Sequence, residues 1–321
     1  MSLNSTLYWS SDFFKAAKKM VSFYSQEAQK RSIAPKIARV EDTDERNQIF
    51  ISTEDKTSPD FVAEGATIPL NDFQKGYRTS FLPKKVAERI EITMETLVKS
   101  KDPTEKIMQM LDDQTKSLTA QIYNQAEKRI HDYYNNGFTN LFAVSPDVEP
   151  LFSATHTYAS GGIFDNLLPA VAPSTAVLDD VEARAGAFLA PNGMPMTLNV
   201  NKILCKKGGS ASREWKKILW YNNNQYHPTT VGTINIYQGA LYEIIESPFI
   251  TSPTAYFLLS DFEDIAARTK NPIIQIYSQR PTIMEDFTRD PRTGSKYTFV
   301  SSMYKDGIAD LPVGLFGSAG A

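Results

Sequence analysis

The side chains best suited to proton transfer near neutral pH are three histidines, His131, His156 and His227. No two share a helix face, and no His-Glu-x-x-His spacing exists, so the pattern of a helical zinc site is missing. His156 lies in the loop-like SATHTY, where Ser153 offers a hydroxyl and Asp165 a carboxylate that could orient the ring. A Ser-His-Asp hydrolase needs its nucleophile on a sharp strand-to-helix elbow beside the base. Neither the elbow glycines nor that context is present, so the expected role of His156 is to tie down a loop by hydrogen bonds. His131 falls in a helical pattern, where packing is enough to explain it.

The remaining candidates are weaker. Asp112 and Asp113 are adjacent on a predicted helix and point to different sides, which makes a poor acid and base pair. Asp179, Asp180 and Glu182 stand near a helix start, where free backbone N–H groups favour negative charge, and no calcium-loop periodicity accompanies them. GGIFDN at 161–166 follows no clear strand and lacks both the Lys-Ser/Thr pair of a P-loop and the dinucleotide glycine spacing. Lys84 and Lys85 read as a solvated strand end. Cys205 is the only cysteine, which excludes an intrachain disulfide and a thiolate cluster; its run TLNVNKILCKK alternates, as a buried small hydrophobe would. No residue is therefore assigned a catalytic, cofactor-binding or metal role, and the expectation is a protein that is not an enzyme.

The elements that would position these groups can be read from periodicity. Ser11 to about Arg31 reads as an amphipathic helix through Phe14, Met20, Phe23 and Tyr24, and Pro35 interrupts the chain beyond it. Residues 37–57 carry dense charge and few apolar anchors, as an arm or loop would. Between 61 and 98 the period changes to two, through Val86, Ile90 and Ile92, which predicts a β-hairpin or a small set of antiparallel strands, with a stretch from Asn71 to Lys85 that is poor in large aliphatics. Such a ribbon is marginal in water without a second layer, which points to a neighbour. Asp102 as cap, Pro103 and Glu105 open a helix to Asn136 with Gly137 as its stop. Ile107, Leu111, Leu118, Ile122, Ala126, Ile130 and Tyr133 form its stripe, and its length of about 50 Å asks for a sheet laid along it. After a loop-rich stretch to Ala176, a helix is predicted over 177–189, a strand in MTLNVNKILC and a helix in REWKKILWYNNNQ. The last third alternates as strands, with a turn at DPRTGS.

Bulk properties limit the partners. A formal net charge of -3 and a pI of about 5.8 leave no general cationic surface for nucleic acid, and KKMVSFYSQEAQKR is too mixed to be a basic arm. Hydrophobic residues at 41% are enough for a real core. No apolar run could span a bilayer and the first residues lack a signal-peptide core, so cytoplasmic synthesis and folding are expected.

Several segments, in order, resemble the major capsid proteins of tailed bacteriophages, nearest to the Mu-type major head subunit group. EGATIPLNDFQKGYRTSFLPKKVAERIEITMETLVKSKDP is similar to the family's extended loop, and Pro103 to Asn136 to its spine helix. LFSATHTYASGGIFDN, NGMPMTLNVNKILC, NIYQGALYEIIESPFI, TAYFLLSD and YKDGIADLPVGLFGSAGA come next, in the family's order. The resemblance implies an α+β fold with an N-terminal arm (1–60), an extended β-hairpin loop (61–98), a peripheral domain with a long sheet (99–138 and 236–321, spine helix 103–136) and an axial domain (139–235). It implies a shell subunit that assembles through pentamers and hexamers around double-stranded DNA, contacted non-specifically. Scaffolding and portal proteins, with a decoration protein as an optional addition, would be its partners, and no membrane would be involved. The location would be the virion, after assembly in the bacterial host cytoplasm. Some members crosslink a lysine to a neighbour's asparagine; Lys75, Lys84 and Asn166 are of the right kind, without a basis for assigning the reaction. Two other readings stay open: a tail or other virion component, and a hydrolase using Ser153 and His156.

Overall fold

The computed structural model describes residues 11–45, 48–55, 61, 62, 64, 66, 73–92, 103–220, 237, 242–262, 270–283, 288–289 and 296–321. Two helices and a mixed sheet form its first layer pair. Helix α1 (Ser11–Arg31) packs beside the long α3 (Pro103–Asn135). Both lie on a five-stranded sheet of β1 (Arg39–Asp42), β10 (Ile273–Ile283), β12 (Lys296–Ile308), β11 (Thr288–Arg289) and β4 (Lys84–Ile92). The apolar stripe explains the packing: Leu111 and Ile122 of α3 meet Ala17 and Val21 of α1 over Ile90, Ile283 and Val300 of the sheet. Asp102, the expected cap, lies outside the described residues. At the other end Gly137 does more than stop the helix, because a Cβ there would stand 2.7 Å from the Phe152 ring.

A second, four-stranded sheet has the order β13 (Leu315–Ser318), β9 (Tyr256–Ser260), β7 (Val200–Lys206) and β8 (Glu243–Ser247). Helices α4 (Thr175–Ala187) and α5 (Ser210–Trp220) pack against it around Trp215, Leu178 and Tyr256. A third cluster joins the layers where Tyr134 of α3, Phe152 and Phe257 meet. The helix expected over 177–189 starts and ends two residues earlier; the predicted strands at MTLNVNKILC, TAYFLLSD and PIIQIYSQRP are present. The turn at DPRTGS lies outside the described residues.

Three expectations change. The segment 37–57 is not plain arm: α2 (Ala34–Ile37) takes Pro35 into its first turn, where no N–H is needed, and β1 and β2 (Gln48–Asp55) come after it. The ribbon is then β2 paired antiparallel with β3 (Phe73–Phe81), so it begins at Gln48 and not at residue 61. β4 leaves the ribbon to pair with β12 from Lys84↔Tyr304 to Ile92↔Lys296. Finally, β8, β9 and β13 belong to the smaller sheet, and the chain re-enters the larger one at Ile273 instead of near residue 236. Period-two patterns identify strands but carry no information about which strand is the partner.

Candidate functional site

Residues from Ala143 to Asn166 form a tightly bonded loop system around the short hairpin of β5 (His156–Thr157) and β6 (Ile163–Phe164). His156 is fully buried, with Nδ1 2.8 Å from an Asp147 carboxylate oxygen and Nε2 3.3 Å from the Leu151 carbonyl. The same Asp147 oxygen accepts the Thr157 N–H at 3.0 Å. Burial alone would raise the Asp147 pKa; the interaction with His156, together with the Thr157 and Glu149 backbone amides, outweighs it and holds the carboxyl below its usual range. Ser153 is elsewhere engaged, donating to Glu149 at 3.0 Å, and Asp165 pairs with Arg184. Ser153, His156 and Asp165 are thus neighbours in sequence that join three different networks. His156 has neither a free nitrogen for a nucleophile nor a bond to either proposed companion.

Asn166 is equally committed. Its Oδ1 accepts the Ser153 N–H at 2.9 Å, and its Nδ2 donates to the carbonyls of Leu151 at 2.9 Å and Pro312 at 3.3 Å. With no exposed surface, the side chain sews the loop to the strand end before β13 and is closed to a neighbour in this conformation. Lys84 lies 2.9 Å from the buried Asp306, whereas Lys75 is on β3, opposite Thr53 of β2. Asp306 also receives Arg129 Nε at 2.8 Å and the Tyr133 hydroxyl at 2.6 Å. Burial pushes its pKa up, but these three donors, Tyr133 first, bring it below the ordinary value.

The other sequence candidates are held in structural contacts. Asp112 accepts the Tyr24 hydroxyl of α1 at 2.7 Å, a bond that, with burial, pushes Tyr24 up to about 12. Asp179 accepts Tyr237 at 2.7 Å and Asp180 pairs with Arg184 at 3.0 Å. Cys205 is buried, and burial raises its thiol to about 11. His131 is buried against Phe249 with Nδ1 on the Glu127 carbonyl at 2.8 Å. His227 lies outside the described residues, which contain no cluster able to hold a metal ion and no helix long and apolar enough to cross a membrane.

Apolar surface also lies open among the described residues. Ile49 and Ile51 on β2 and Leu82 after β3 are exposed, as are Leu141, Val148, Ile163, Leu189 and Trp220. Scattered exposed apolar residues are ordinary, but a two-stranded ribbon bearing several of them has an uncovered face.

Comparison with solved structures shows which fold this layout is. No protein-family model and no curated protein matches the sequence. Among solved structures, a chain from the capsid of an empty GTA particle aligns at a TM-score of 0.51 and 10% identity, over 90% of both chains. A chain of the capsid of Helicobacter pylori bacteriophage KHP30 gives 0.51 and 10% over 88% and 86%, and a chain from a structure of Mycobacterium phage Patience gives 0.51 and 10% over 97% and 89%. The fold is that of a phage-type capsid protein. At such low identity the likeness reaches the α+β capsid fold and stops there. The asparagine, lysines and acids of this capsid-fold chain must be read from their own contacts. Sequence reading missed Asp306 and Glu54; Arg129 and Tyr133 stand four apart on one helix face, but only the fold shows that Asp306 meets them there.

Proposed function

We propose that this chain is the major capsid protein of a tailed phage, of the kind represented by the Mu-type head subunit, and that it builds its shell without catalysing a reaction. The observation that supports this reading is a capsid fold matched over nine-tenths of the chain and nine-tenths of a GTA capsid subunit. The mechanism is assembly by shape. Quasi-equivalent contacts repeat in pentamers and hexamers, each weak enough for a misplaced copy to leave, and the shell closes through their sum. The ribbon of β2 and β3 overlaps a neighbour, α3 is the spine, and the region from about residue 139, with the smaller sheet it belongs to, faces the capsomer axis. Scaffolding and portal proteins take part in assembly, a decoration protein is an optional addition, and the packaged DNA is held without sequence readout. A net charge of -3 agrees with a genome driven in by a motor and not condensed by the wall.

Negative-stain electron microscopy with light scattering, on the chain alone and with its scaffolding partner, tests this. Closed shells or capsomers with fivefold and sixfold centres are expected. A ring of one symmetry only would instead indicate a tail component, and a monomer that resists assembly in both conditions would overturn the proposal.

A further inference from the structure

We infer that Glu54 is a positioning residue that aims the β2–β3 ribbon by latching it to the β5–β6 turn. The capsid reading enters only in the use made of the ribbon once it is aimed. The ribbon is rooted where Phe81 packs against Gly307 and the Thr79 hydroxyl donates to the Ala309 carbonyl at 3.2 Å. Away from that root, near the other end of β2, Glu54 is 5% exposed. One carboxylate oxygen accepts the Ala159 N–H at 2.9 Å and the other the Ser160 N–H at 2.8 Å. Both amides belong to one turn, closed by the Gly161 N–H on the Tyr158 carbonyl at 2.9 Å. From the second strand the Tyr77 hydroxyl donates to the Thr157 carbonyl at 3.1 Å.

The ladder between β2 and β3 does not require this. In it Glu54 stands opposite Gln74, and its backbone serves whatever its side chain does. A carboxylate on two successive amides is charge-assisted and directional, and it fixes an angle that two strands alone would leave soft. Root and latch together hold the ribbon at two separated places, so Ile49 and Ile51 present a set face to a second copy before contact. Less ordering then remains to be done on docking.

The test is hydrogen exchange by mass spectrometry on the unassembled full chain, comparing wild type with Glu54→Ala, Ala159→Pro and the double variant. Proline removes one donor at the second position of a turn, where it is well tolerated. In Glu54→Ala, exchange in 48–55, 73–81 and 157–160 should rise about tenfold or more, as for loss of hydrogen bonds to a charged group, with the α1 and α3 peptides unchanged. Ala159→Pro should give a smaller rise, and the double variant no more than Glu54→Ala. Glu54→Gln, which keeps one good acceptor, should fall between and serves if the alanine variant does not fold. Unchanged ribbon exchange in a folded Glu54 variant, or additive effects in the double, overturns the latch. Because exchange is read before assembly, failure to form shells would count against the capsid reading alone.

Discussion

The Tyr133 hydroxyl of α3 donates to the Asp306 carboxylate of β12 at 2.6 Å, joining the long helix to the centre of the larger sheet. Arg129, one turn earlier, and Lys84 of the adjacent β4 complete a set in which three elements meet on one buried acid. Asp306→Ala leaves the Tyr133 hydroxyl buried without its acceptor, while Lys84 and Arg129, partly exposed, can turn to water. The expected loss is about 2–4 kcal/mol, within the range for breaking a buried pair. Lys84→Ala, removing the most exposed donor, should cost about 1 kcal/mol or less. Urea unfolding at neutral pH measures both, and equal losses would contradict this ranking.

The same acid and His131 divide the pH dependence between two windows. The Asp306 pKa is depressed in the fold, so its stabilisation is present above the unfolded carboxyl value near 4 and is lost as pH falls toward the folded value. His131 is lowered by burial, with the Glu127 carbonyl and carboxylate opposing. The unfolded chain therefore binds its proton more readily, and stability should already decline as pH drops through about 6.5. His131→Phe, which keeps a ring against Phe249, should flatten the slope between about pH 6.5 and 5 and leave the region below about pH 4 as it was. An unchanged upper window in the variant would assign that slope to another group.

Val148 holds a positive φ of 70° with its side chain in solvent, the sole non-glycine residue to do so among those described. A β-branched residue there is strained, and its side chain contributes little burial in return. Val148→Gly should stabilise the chain by about 0.5–1 kcal/mol after the greater flexibility of glycine in the unfolded state is allowed for. Calorimetry would read this as a small rise in Tm; a fall would mean that the valine makes a contact worth more than the strain.

Local structure was largely legible in the sequence, because α1, α3, α4 and most strands are amphipathic and carry their period in Phe14, Leu111, Val181 or Ile203. Pairing was not: nothing in KKVAERIEI distinguishes a ribbon strand from one that binds β12, since either places Val86 and Ile90 on one face. The site was half legible. His156 was expected to tie down a loop, and it does so through Asp147, which stands nine positions away and not at Asp165. A hydrogen-bond partner across a folded loop depends on the path of the backbone, which residue spacing does not encode.

Gly307 shows how the ribbon root depends on a missing side chain. A Cβ at this position would lie 1.9 Å from the Phe81 ring, far inside contact distance, so the ring of β3 can lie on β12 only over a glycine. Gly307→Ala must displace Phe81, the sheet, or both, at a cost of about 1–3 kcal/mol for overpacking. Phe81→Ala should lose about as much by leaving a void at the root. Combined, the two changes relieve the same clash, so the double variant should lose less than the sum of the singles, with coupling of about 1 kcal/mol or more. Strictly additive losses in urea unfolding would show that Phe81 and Gly307 do not share the contact on which the root is built.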